Sequence, residues 1–199
     1  MFQNSKDRMI AISDGVFAVV LTIMVLDIKA PNGDISAFEV HRLLTQLFAY
    51  LISFGVVAQY WILHQELFAT LKTPTIKIMV GNIYFLCPIC LVPFATTWLN
   101  NSFISPESAV SFAFLMFIVD TAQWFCFHIV VVQNLKDGQK LAAHDIEELR
   151  SVKVMVAISL VYIVCSLIIP KYLLVVIGIG ILSRVIITRG IRLYLNWRN

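Results

Sequence analysis

Charge is what this sequence has least of. Asp, Glu, Lys and Arg make up 14% of its 199 residues, against about a quarter in a soluble domain. So few charges cannot coat a globular surface, and a soluble domain is excluded. Cysteine is scarce too. The four present (Cys87, Cys90, Cys126 and Cys165) all lie in apolar runs, not in the loops where a disulfide framework would sit. Cys87-Pro88-Ile89-Cys90 matches C-x-x-C, a redox motif in the right context. Here it lies well inside an apolar run, so small apolar packing is the favoured role. No A-x-A site closes the first apolar run, and no lipidation motif is visible, so neither a cleaved leader nor a lipid anchor is expected. No HExxH and no closely spaced His pair occurs, which speaks against a metal cofactor or an intramembrane enzyme built on His64, His128, Asp120 or the thiols.

What is present is hydrophobic. Apolar residues reach 59%, and the mean hydropathy is +0.84. A bilayer-crossing helix needs about 20 such residues. Six spans are predicted, at 9–29, 43–70, 77–99, 106–132, 152–169 and 172–195, forming a single transmembrane domain over 1–199. Between them, Pro31 to Glu39 reads as a polar turn, Asn134 to Arg150 as the longest polar loop, and Pro170 as the break between the last two spans. Loop charge orients the bundle. Twelve Lys and Arg fall on the side of the termini and three (Lys29, Arg42, Lys171) on the other. Cytosolic termini are therefore expected. The net charge of +3 reports topology, not nucleic acid binding.

The stretch Arg8 to Pro31, RMIAISDGVFAVVLTIMVLDIKAP, carries the most information. It holds Asp14 near the start of a span, where an unpaired carboxylate costs several kcal/mol. Asp14 must therefore be paired, as a polar anchor or as part of an ion pathway. At 100° per residue, Val19, Thr22, Ile23 and Leu26 form one stripe, spaced i, i+3, i+4, i+7. Asp14 lies roughly 130° from its middle, among the small residues Ser13, Gly15 and Ala18, which favour close helix approach. In the second span Trp61 and His64 are i, i+3 and offer donors suited to Asp14 or Ser13. The third span adds Asn82, Pro88 and Pro93, and the fourth adds Asp120, Gln123 and His128. Asp120 and Gln123 suit either an internal contact or a crevice near the headgroups.

These residues carry a resemblance. Arg8, Ser13-Asp14-Gly15-Val16-Phe17-Ala18, Thr22, Val25-Leu26, Ile28 and Pro31 stand in the register of the signature of the transmembrane protein 175 family, a family of potassium channels. Ser53-Phe54, Trp61-x-x-His64, Leu67-Phe68, Asn82 and Pro93-Phe94 are similar to it as well. Ile12 replaces the family's Phe before Ser-Asp, and Gln65 replaces a His often found after His64. The signature occurs once, so the chain resembles the single-repeat prokaryotic form, which assembles as a homotetramer in the cell membrane.

The resemblance implies an all-α, six-helix potassium-selective channel whose first helix lines the pore. A hydrophobic constriction would fall at Val19, Ile23 and Leu26, with potassium passing the hydroxyl of Thr22. Arg8, Ser13, Asp14, Trp61 and His64 would form a structural polar network, with no cofactor beyond the permeant K+. No loop of carbonyls is needed. A narrow apolar ring penalises ions that hold their water tightly, and it can close by dewetting. The rival class is a secondary transporter of a small solute or ion. It would show an internal repeat with paired broken helices, and no repeat is found, although Pro88 and Pro93 interrupt the third span.

Overall fold

Among the described residues, five helices are long and apolar enough to cross a membrane, and a sixth, shorter apolar helix follows them. They belong to a computed structural model that describes residues 5–30, 36–102, 105–138 and 143–183, with side chains of the last range described from 148 onward. Helix α1 is Ser5–Leu26, α2 is Ala37–Ala69, α3 is Ile76–Ile89, α4 is Val92–Asn101, α5 is Pro106–Lys136 and α6 is Ala143–Ile168. A 3₁₀ turn at Pro170–Tyr172 leads into α7, residues 173–183. Among the described residues there is no strand. The part of the sixth expected span beyond residue 183 lies outside the described residues.

Two boundaries differ most from the sequence expectation. Helix α2 begins six residues earlier than its apolar run, inside the expected polar turn. Ser36 is its N-cap, and the Ser36 hydroxyl accepts from the backbone N–H of Glu39 at 3.2 Å. Capping chemistry started the helix before hydropathy did. Helix α6 likewise starts at Ala143, within the expected loop 134–150, because a helix in water needs no apolar run.

The third span, Ile76–Asn101, is one stretch of apolar sequence folded as two helices. Pro93 has no N–H to offer the Ile89 carbonyl, and the ladder breaks at Cys90–Leu91. The Leu91 N–H turns back to the Pro88 carbonyl at 3.1 Å.

The core lies among α1, α2, α3 and α5, where Phe17, Phe68, Phe85, Phe112 and Met116 are fully buried. In lipid, apolar contact alone gives helices no preference for each other, so association rests on close packing and interhelical hydrogen bonds. Both are present. Cys126 on α5 donates its S–H to the Gly81 carbonyl of α3 at 3.1 Å. Thr96 on α4 donates to Ser53 on α2 at 3.0 Å. Asn134 on α5 donates to Thr70 just past α2 at 3.3 Å. Gly178 and Gly180 let α7 seat against Ile52 of α2 and Tyr162 of α6.

Candidate functional site

Helix α1 has two chemically distinct sides. Met9, Ser13, Phe17, Val20 and Met24, a 3–4 repeat, are buried against the bundle. The opposite side is uncovered in the single chain. Val19 is 54% exposed, Ile23 45% and Leu26 77%, and Thr22 is exposed with them. The four residues of the stripe thus lie together on one open face. The Thr22 hydroxyl donates back to the carbonyls of Ala18 at 2.9 Å and Val19 at 3.0 Å. Its proton is held within the helix, and its lone pairs face outward.

Two polar clusters fix the other side. Asp14 is half-buried. Its Oδ1 accepts from Trp61 Nε1 at 2.9 Å and from the Gln65 amide, both on α2. Next to it in sequence and about 100° around α1, Ser13 donates to the Met9 carbonyl at 3.0 Å and accepts from Asn82 Nδ2 at 2.9 Å. The other end of that amide, Asn82 Oδ1, lies 2.8 Å from His64 Nε2. Because Asn82 presents its oxygen, His64 must carry its proton on Nε2. Three phenyl rings enclose the imidazole. Phe68 lies at 4.5 Å, Phe17 at 5.7 Å, and Phe85 is stacked at 5.9 Å between centroids. Three helices are thereby pinned at one depth. Aromatic packing holds the ring, and hydrogen bonds set its orientation.

The expected polar network is therefore two contacts, not one. Trp61 reaches Asp14, while His64 serves Ser13 through Asn82. Arg8 joins neither: it is exposed and has no hydrogen bond or ion pair among the described residues. Asp14 lies six positions further on, about 120° around the helix, which places the two on different sides. Gln65, noted in the sequence only as a substituted histidine, is the second donor to Asp14. Asp120 and Gln123 are both buried. Asp120 accepts from the Tyr60 hydroxyl at 2.7 Å and lines a crevice between α2, α5, α6 and α7, whereas the Gln123 amide has no hydrogen-bond partner among the described residues. Cys87 and Cys90 are exposed at the α3–α4 break, contrary to the packing expectation, whereas Cys126 is buried. Among the described residues no group of His, Cys, Asp and Glu could hold a metal ion.

Sequence reading also missed a contact at Asp27. Asp27, one residue past α1, accepts from the Thr97 hydroxyl on α4. The signal was available, since a carboxylate at the end of an apolar run needs a partner. A crevice of about 750 Å³ runs beside this contact, between the open face of α1 and α4. Val19, Ile23, Asp27, Cys90, Phe94 and Thr97 are among its lining.

The fold and this α1 arrangement define an all-α, polytopic membrane protein with, among the described residues, six apolar helical spans (α3 and α4 forming one) and an unpaired first-helix face. Comparison narrows the class. The family described as "Endosomal/lysosomal potassium channel TMEM175" matches residues 8–93. A protein of Chryseobacterium sp. (strain P1-3) described as a potassium channel is 31% identical over 137 residues, covering 69% of this chain and 70% of the relative. A Streptomyces collinus protein, also described as a potassium channel, is 34% identical over 99 residues, and that match spans about half of its length (48%). The crystal structure of a lysosomal potassium-selective channel TMEM175 homolog from Chamaesiphon minutus superposes with a TM-score of 0.80 at 21% identity. It covers 91% of this chain and 96% of that one. The chain belongs to the TMEM175 family.

Proposed function

We propose that this chain forms a potassium-selective cation channel, a homotetramer in the cell membrane with both termini cytosolic and α1 lining the pore. Family membership supports the ion. The observation that carries the mechanism is the open stripe Val19, Thr22, Ile23 and Leu26 on a helix whose other side is packed and hydrogen-bonded to the bundle. Around a symmetry axis, each residue of the stripe becomes a ring. Val19, Ile23 and Leu26 form a narrow apolar constriction that wets reluctantly and passes the cation whose hydration shell is more easily stripped. The outward lone pairs of Thr22 replace part of that shell. The Asp14 and Ser13–Asn82–His64 contacts, on the far side, keep α1 from rotating. They act as scaffold, away from the ion path.

The testing experiment is reversal potential under a potassium–sodium gradient, measured with unitary currents in reconstituted bilayers. A shift toward the potassium equilibrium potential with discrete current steps is expected. Transport without unitary steps would indicate a carrier and overturn the channel reading. Equal permeability would overturn the selectivity.

A further inference from the structure

Asp27 has no place in the constriction or in the scaffold around Asp14, yet its position is specific. It follows the last turn of α1, one helical turn beyond Ile23 on the same crevice wall. The Thr97 hydroxyl of α4 donates to its Oδ2, sharing its single proton with the Pro93 carbonyl at 3.0 Å. The chain just beyond it is tied down as well, since the Lys29 N–H donates to Gln46 Oε1 at 3.3 Å. The carboxylate is therefore held in place, partly open to the crevice beside the stripe. The C-terminal carbonyls of α1 end at the same level and add a negative partial charge. The cations on this end of the bundle are Lys29, Arg42 and Lys171. The described side chains of Lys29, Arg42 and Lys171 are exposed, so water screens them, whereas Asp27 sits against the low-dielectric crevice wall.

We propose that Asp27 determines throughput. Resting on the reading of α1 as the pore helix, its carboxylate repeats around the axis as a fixed negative ring at the end of the path remote from the termini. That ring concentrates cations from bulk water before they meet the apolar constriction. Fixed charge at a low-dielectric mouth raises local counter-ion concentration, and rings of carboxylates serve cation channels in this way. Thr97 is the positioning residue, because its hydrogen bond keeps the carboxylate aimed into the crevice.

The test is unitary conductance of Asp27→Asn, Asp27→Glu and Thr97→Val in symmetric KCl. At ~10 mM salt the screening length is ~30 Å, and at ~1 M it is ~3 Å. Asp27→Asn should lose about threefold of the conductance at the low concentration and match wild type at the high one. The loss should be larger for ions entering from the side remote from the termini. Asp27→Glu should retain most of the current, and Thr97→Val should fall between. An Asp27→Asn channel equal to wild type at low salt overturns the proposal. So does a loss that is the same at both salts, which would mean local distortion. If Asp27→Asn fails to assemble, the wild-type conductance–concentration curve decides: a fixed ring flattens it at low salt, and a curve proportional to concentration overturns the ring. Ile23→Asn is recorded alongside. If it changes the current while Asp27→Asn does not, the pore reading stands and this inference alone fails. If wild type carries no potassium current, the functional reading fails first.

Discussion

In the proposed pore, Thr22 would act on an ion through a single oxygen. Its hydroxyl proton is committed to the α1 backbone, so what it presents outward is an oxygen acceptor. Thr22→Val keeps the shape and removes that oxygen. Potassium preference, read from reversal potential, should fall while the size-exclusion profile stays that of wild type. An unchanged permeability ratio would leave the apolar ring as the sole filter. Ile23 tests the ring itself. Ile23→Asn places a wettable amide where a branched alkyl group resists hydration, so closure by dewetting should become harder. Unitary current or open probability should rise and selectivity weaken. Unchanged conduction would mean that this face of α1 meets lipid or a neighbouring helix.

At the scale of the helix, the question is what prevents α1 from turning. Asp14 accepts two hydrogen bonds from α2, and hydrogen bonds to a charged group contribute about 1.5–3 kcal/mol each. Asp14→Ala removes both and strands the Trp61 and Gln65 donors. It should lower the melting temperature and the recovery of assembled protein in detergent, and Asp14→Asn, which keeps one acceptor, should be milder. A well-assembled Asp14→Ala protein with altered permeation would move Asp14 onto the ion path. The α6–α7 seam gives a second element-level test. A methyl group on Gly180 would lie 2.0 Å from the Tyr162 hydroxyl, and overpacking of this kind costs about 1–3 kcal/mol. Gly180→Ala should destabilise, and adding Tyr162→Phe should recover part of the loss, a coupling that a double-mutant cycle on melting temperatures would measure. The periodicity of Val19, Thr22, Ile23 and Leu26 was legible in sequence because a helix imposes 3.6 residues per turn whatever surrounds it. The Trp61–Asp14 contact was legible because an intramembrane carboxylate needs a donor. Which donor Ser13 would find was not: the contact runs through Asn82 on a third helix, and only packing decides how three helices meet. Arg8 was misread for the same reason, since nearness in sequence did not make it face Asp14.

At the scale of the whole molecule, two helices stay largely uncovered in the single chain, and they differ in kind. Helix α6 has 17% of its apolar window buried and α1 has 28%, against 56% for the broken α3–α4 span. The exposed apolar positions of α6 include Val154, Leu160, Val161, Val164, Leu167 and Ile168, branched side chains suited to lipid tails. Those of α1 include Ala11, Gly15, Ala18 and Thr22, small or hydroxylated residues that allow close approach between helices. The two open faces should therefore meet different partners, α6 the bilayer and α1 further copies of itself. Cysteine cross-linking separates them. Cys87 and Cys90 are exposed, so both are first replaced by Ser. In that background Leu26→Cys, on the most exposed residue of the stripe, should give covalent dimers on mild oxidation, because α1 helices around one axis bring equivalent residues together. Leu160→Cys, also exposed on α6, should stay monomeric under the same conditions. Cross-linking at Leu160 with none at Leu26 would reverse the assignment, placing α6 at the subunit contact and α1 in lipid. The apolar stripe would then be a membrane anchor without a pore.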